Sequence, residues 1–450
     1  VELIQILAAT VVTLGILVTI HEYGHYWVAK RCGVKVLRFS IGFGTPLLRW
    51  HTKDGTEFCI AAIPLGGYVK MLDEREGEVA VEERELAFNR KPVGQRIAVV
   101  IAGPAANFLF AIVAYWLMFV VGVSTVVPIV GETEINSAAA NSGMVPGEEI
   151  VAIDGQETLS WQEVNIQLLS RIGDSGAVSI STLSDLGQSK DYQIEISRWL
   201  SGKEIPDPLA ELGIVPFRPD IPARIGKVIA GGAGERGGLQ EDDLIVAAND
   251  VPIKKWGQLV TFIQAHPQRE LILEVERRSS LLVLEVVPEA RQLEDGETQG
   301  YLGIGTQNVS WPPEMQRTIS YSIFSGWIPA AKKTWNMSVL TLQSLKKMLL
   351  GLISVKNLSG PITIAKVAGA SAEQGAEAFL NFLAYLSISL GLINILPIPV
   401  LDGGHLMYYL AEIIRGKPIS ERFQMMGLRI GMSLIFGLMM LAIYNDIARF

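Results

Sequence analysis

The sequence predicts a polytopic α-helical membrane protein that carries a pair of repeated soluble α+β domains. Three observations lead there: four long apolar runs, a lopsided distribution of Lys and Arg beside them, and an internal repeat with an offset of 95 residues. The chain has 450 residues, 49% of them hydrophobic, and a net charge of −8. That composition is too apolar for an ordinary soluble enzyme, and its charge offers no basic surface for nucleic acid. Its two cysteines, Cys32 and Cys59, fall on one loop, so a disulfide framework is not expected.

The first apolar run, Leu3 to Ile20, has no basic residue before it and no small-residue cleavage site after it. It leads straight into His21-Glu22 and is expected to stay as a retained helix, residues 1–25. Ile97 to Val121, 25 residues without a charge, gives the second span (96–122). Ala378 to Leu401, 24 residues, opens a third segment (378–410), and Ile430 to Asn445, 16 residues, a fourth (430–447). The first three are long enough to cross a hydrocarbon layer of roughly 30 Å, and the fourth fits with interfacial ends. Twelve Lys and Arg lie between the first two spans, and Arg415, Lys417, Arg422 and Arg429 lie on or beside the connection 411–429. The positive-inside bias makes those two loops cytoplasmic and puts both chain ends and the long region between spans two and three on the opposite side.

In that region Asn136-Ser137-Ala138-Ala139-Ala140-Asn141-Ser142-Gly143 leads to Ile150-Val151-Ala152-Ile153-Asp154-Gly155. Gly232-Ala233-Gly234-Glu235-Arg236-Gly237-Gly238 leads in the same way to Leu244-Ile245-Val246-Ala247-Ala248-Asn249-Asp250. A short small-residue helix, a Gly stop, an apolar strand and a turn recur in each copy. The pattern resembles PDZ domains, over 126–217 and 222–310. Such domains capture peptides by adding a strand to a sheet edge; a spacer or steric filter for what reaches the membrane is the other reading. From 311 to 377, Trp327, Trp335 and Leu345 alternate with Lys332, Lys333, Lys346 and Lys347, as in amphipathic helices lying in contact with membrane lipids.

His21-Glu22-Tyr23-Gly24-His25 is an H-E-x-x-H pattern. On a helix its two His project from one face and can share a tetrahedral Zn2+, with Glu22 placed to take the proton of an activated water. Ionisable side chains at the end of a transmembrane run are costly unless bound or paired. A catalytic zinc takes a third protein ligand, and Asn394-Ile395-Leu396-Pro397-Ile398-Pro399-Val400-Leu401-Asp402-Gly403-Gly404-His405 offers either Asp402 or His405. Span topology brings that segment to the face where the first span ends. Pro397 and Pro399 should break or extend the backbone there, which is tolerated at membrane depth where it lines a cavity, and Asn394 is then able to hydrogen-bond an extended substrate. The cytoplasmic loop 26–95 contains the β-prone stretch Thr56 to Met71, with Gly66-Gly67-Tyr68 inside it and Gly42-Phe43-Gly44 before it, so β-hairpins are expected there.

H-E-x-x-H in the first span, Gly103-Pro104-Ala105-Ala106-Asn107 in the second and N-x-x-P-x-P-x-x-D-G in the third resemble the site-2 protease family of intramembrane metalloproteases, and the likeness extends over nearly the whole chain. It implies zinc ligation by His21, His25 and Asp402, a general base at Glu22, and a re-entrant β-hairpin near the zinc whose Gly66, Gly67 and Tyr68 meet an unwound substrate along with Asn394. It also implies a bacterial inner-membrane protein with its PDZ-like domains in the periplasm. The implied substrates are single-span proteins, an anti-sigma factor of an envelope stress response among them, with signal-peptide remnants as others. An ion transporter would place its ligands near the midplane and repeat its spans; here only the soluble domains repeat.

Overall fold

The computed structural model describes residues 2–203, 206–292, 298–307 and 311–448, which leaves the expected end of the second repeat at 310 outside the described residues. Among the described residues, four helices are long and apolar enough to cross a membrane: α1 (Glu2–Arg31), α2 (Val93–Val121), a third span Ala376–Ile395 and a fourth span Glu421–Ala448. The chain is a multi-pass membrane protein with small antiparallel sheets between its spans. Only 11% of the apolar window of the first span, and of the fourth, is buried, so their remaining surface suits lipid.

Helix α1 runs well past its apolar segment and carries the H-E-x-x-H residues in its later turns. It stops at Gly33, whose φ of 68° supports a closing pair of bonds, Gly33 N–H to Lys30 O (3.1 Å) and Val34 N–H to Ala29 O (2.9 Å). Helix α2 packs between α1 and the third span because small residues let backbones approach. A Cβ at Gly24 would collide with Ala102 of α2, and one at Gly391 would press on Phe108 and on the Pro104 carbonyl. The fourth span is longer than its 16-residue charge-free run, since Glu421, Arg422 and Arg429 lie on its first turns, where interfacial charge is tolerated. Its other end is tied down by Asp446, which accepts bonds from the amides of Gly360, Ile362 and Thr363 at the start of helix Pro361–Glu373.

Between α1 and α2, strands β1 (Val36–His51) and β2 (Glu57–Met71) bend so far that they form four lanes of one sheet. Arg38 lies opposite both Lys70 and Glu57, and Ser40 opposite both Tyr68 and Cys59, while Arg49 returns to Cys59. Gly67–Met71 is thereby an outer lane, and no other described strand pairs with it. In 311–377, strand Gln316–Ile319 pairs with Val123–Val126, and helices Trp327–Leu349 and Pro361–Glu373 follow.

The repeated regions share one topology. Four strands in the order 156–157, 149–153, 176–183, 189–196 recur as 251–252, 244–248, 271–277, 280–286. A register shift between Ile150 and Ala152 recurs between Ile245 and Ala247, at the same offset of 95 residues. Glu148 and Asp243 also stand 95 apart, both buried acids at the head of the equivalent strand. Glu148 accepts from Thr182 (2.7 Å) and Tyr192 (2.8 Å) and pairs with Lys190 (3.3 Å), whereas Asp243 takes both arms of Arg277 at 2.7 Å.

Candidate metal centre

The H-E-x-x-H helix places the His21 and His25 rings one turn apart on one face, both nine-tenths buried. The third contributor arrives by a break in the backbone. The third span stops at Ile395; residues 396–401 are non-helical, and Val400 adopts φ 116°, a conformation that a β-branched residue enters only under constraint. Helix Asp402–Arg415 then restarts with Gly403 and Gly404, where any Cβ would collide with the carbonyls of Ile395, Leu396 and Ile398. The glycines allow the new helix to tuck under the Pro-x-Pro segment, and Asp402 on its first turn faces α1.

The separations are 3.2 Å from His21 Nε2 to Asp402 Oδ2, 3.4 Å from His25 Nε2 to Asp402 Oδ2, and 3.3 Å between the two Nε2 atoms. A tetrahedral ion with bonds of about 2.0–2.1 Å holds its ligands about 3.3–3.4 Å apart. The chemistry agrees with the spacing. His25 Nδ1 lies 2.8 Å from the Val99 carbonyl, so it carries the proton and Nε2 keeps a lone pair. Asp402 Oδ2 is buried beside these nitrogens without a hydrogen bond of acceptable geometry. Converging lone pairs repel one another unless a cation lies between them, and among the described residues His21, His25 and Asp402 are the group that can hold one. His405, the alternative third ligand, is not in that group. It lines the same cavity, of about 430 Å³, along with Glu22, Asn394, Gly67 and Tyr68.

Glu22 stands at the β-sheet. A Cβ at Gly67 would lie 3.0 Å from its Cγ and 2.7 Å from the Ser40 carbonyl. Gly67 is what lets the outer lane come this close. Tyr68 stacks near Phe43 with ring centres 6.1 Å apart and accepts from Arg38, and Gly66 meets the Phe43 ring instead of the cavity. Asn394 Nδ2 lies 3.4 Å from His21 Nε2. The sequence-predicted residues thus converge, apart from Gly66, which sits one step behind the wall.

Two contributors from α2 were not singled out from the sequence. Gly103 leaves room for both rings, since a Cβ there would collide with His25 Nε2 and lie 2.8 Å from His21 Cε1. Asn107, fully buried, has its amide nitrogen 3.2 Å from His21 Nδ1 while its Oδ1 has no partner. Oxygen and nitrogen of an amide are interchangeable by a flip. Turned over, Oδ1 accepts the His21 Nδ1 proton, which resolves the orphaned oxygen and frees Nε2 for a metal. Asn107→Ala is expected to weaken zinc binding by about 10–100-fold, the usual effect of removing such a support, as read by chelator competition on the purified protein.

Comparison with known proteins gives concordant findings. The model of peptidase family M50 matches residues 9–438. The regulator of sigma-E protease RseP of Salmonella typhimurium is 46% identical over 444 residues, 98% of each chain. RseP of Escherichia coli is 45% identical over 443 residues, again 98% of each, and the regulator of sigma E protease of Haemophilus influenzae is 39% identical over 445 residues with the same coverage.

Proposed function

The chain belongs to the zinc metalloproteases of peptidase family M50, and we propose that it cleaves peptide bonds inside the transmembrane segments of single-span proteins. The observation that carries this reading is the meeting of a three-ligand group, an adjacent carboxylate and an outer β-lane around one cavity at the ends of membrane spans.

His21, His25 and Asp402 hold the metal in this scheme, with the Val99 carbonyl and Asn107 fixing the rings. A zinc ion bound there would supply the Lewis acidity that lowers the pKa of a water and polarises the scissile carbonyl. Glu22 takes the water's proton and passes it to the departing amine. A helix resists hydrolysis because its carbonyls are bonded and shielded, so the substrate must be drawn out. The unpaired side of Gly67–Met71 offers backbone groups for that extended stretch, and the amide of Asn394 a further one.

Residues 126–217 and 222–310 are PDZ-like domains in this reading, supported by their shared strand order. The Lys and Arg bias supports an orientation in a bacterial inner membrane with the metal toward the cytoplasm and with these domains and both chain ends in the periplasm. The relatives' names, regulators of sigma-E, point to an anti-sigma factor as substrate, and signal-peptide remnants share the same single-span chemistry.

The test is to map the cleavage site of a tagged single-span substrate incubated with the purified protein in detergent. A scissile bond inside the apolar segment, lost with a zinc chelator and restored by zinc, is the expected result. Cleavage confined to flanking soluble residues would overturn the intramembrane reading.

A further inference from the structure

The two repeats form an internal control for each other, and they differ on one surface. In the first, the outward face of strands 176–183 and 189–196 is polar apart from Ala177 and Leu183, and its central polar groups satisfy one another. Ser181 donates to Asp191 at 2.5 Å and Gln193 to Ser179 at 3.0 Å, with Ser189 exposed at the end of the row. The register aligns Ser189, Asp191 and Gln193 with Leu281, Val283 and Glu285 of the second repeat. Leu281 is 62% exposed and Val283 64%, and across the pair Ile272 is 48% exposed.

These apolar groups do not form a greasy sheet. Each stands opposite a carboxylate: Leu281 faces Glu276, Val283 faces Glu274, and Ile272 faces Glu285. Strand 280–286 is also the last in its sheet, and no other described strand covers its outer side. The turn at Gly237 and Gly238 approaches its Leu284–Val286 end, and an apolar edge that lacks a lysine or proline is a liability that proteins normally blunt, as the first repeat does with Lys190, Asp191 and Gln193.

We infer that strand 280–286 is a docking edge for an extended segment of another protein, which adds to the sheet as a further strand. The occupant's chemistry follows from the row that it must lie beside. Two apolar side chains at alternate positions meet Leu281 and Val283, and a Lys or Arg two positions further meets Glu285, with Glu274 and Glu276 reinforcing the preference for positive charge. The backbone edge provides affinity and the row provides selectivity. This surface lies on the second repeat, separate from the cavity that holds the metal group.

The experiment uses the full-length protein in detergent and a dye-labelled peptide, Thr-Val-Thr-Val-Thr-Lys-Thr, followed by fluorescence anisotropy. Saturable binding is expected. Leu281→Ser with Val283→Asp, which installs the side chains that the first repeat carries at these exposed positions, should weaken it at least tenfold, with unchanged thermal melting and unchanged cleavage of a single-span substrate. Replacing the peptide's Lys by Glu, or methylating alternate backbone nitrogens, should weaken it to a similar degree. Absence of saturable binding to the wild type, equal binding by the double variant, or indifference to N-methylation each overturns the proposal. So does sedimentation that shows a dimer dissolved by the double variant, because the occupant is then a second copy of this chain.

Discussion

Glu22→Gln should abolish most proteolysis while leaving zinc in place. The substitution keeps the shape of the side chain but removes the basic oxygen. Loss of a positioned general base costs roughly 10²–10⁴-fold in rate. Because Glu22 is not in the ligand group, the variant should still bind about one zinc per chain, the stoichiometry of a single three-ligand site. Cleavage of a single-span substrate and metal content, measured on the same preparation, separate the two roles. A variant that loses zinc along with activity would mean that Glu22 shapes the site, and one that retains full activity would remove it from the mechanism.

Asp402→Ala should show the complementary behaviour, with metal and activity lost together. It deletes the one donor that does not come from α1 and leaves two His nitrogens 3.3 Å apart to hold an ion alone. The loss of zinc affinity should exceed the roughly 10–100-fold typical of an outer support, since a direct ligand is gone. Chelator competition measures the affinity, and added zinc should restore only part of the cleavage. The contrast with Asn107→Ala is quantitative: both act on metal binding, and the direct ligand should cost more. If Asp402→Ala bound zinc as tightly as the wild type, His405 would have to be reconsidered, for it borders the same cavity.

The helical His pair was legible because i, i+4 spacing has a direct geometric meaning, and so was the backbone break before Asp402, because two prolines in close succession remove donors and turn the residues before them from helix, whereas the single Pro104 is carried within α2. The four spans were legible from apolar length, though their ends were not. α1 continues for a further turn and more beyond His25, and the fourth span absorbs charged residues that a hydropathy reading places in a loop. The β-region was legible as strands but not as four lanes, since the double pairing of Arg38 and Ser40 depends on bends that no residue pattern specifies. Least visible were the supports for the rings. A backbone carbonyl such as Val99 looks like any other in sequence, and Asn107 or Gly103 gains its role only when α2 is laid against α1. Their place within Gly103-Pro104-Ala105-Ala106-Asn107 was the available signal.

The buried acids Glu148 and Asp243 bear on how a duplicated chain finds its fold. Two units of the same topology in one polypeptide invite strands to exchange between them during folding. Each carboxylate, however, is answered only from within its own unit, by a hydroxyl pair and Lys190 in one and by a guanidinium in the other. A hybrid sheet would still set a carboxylate opposite a cation, Glu148 against Arg277 or Asp243 against Lys190, but would lose the two-armed fit of the one and the hydroxyl pair of the other. The divergence between the copies therefore lies in the fit of the buried pair and not in its charge, and native pairing is favoured by the bonds that each unit shapes to its own acid.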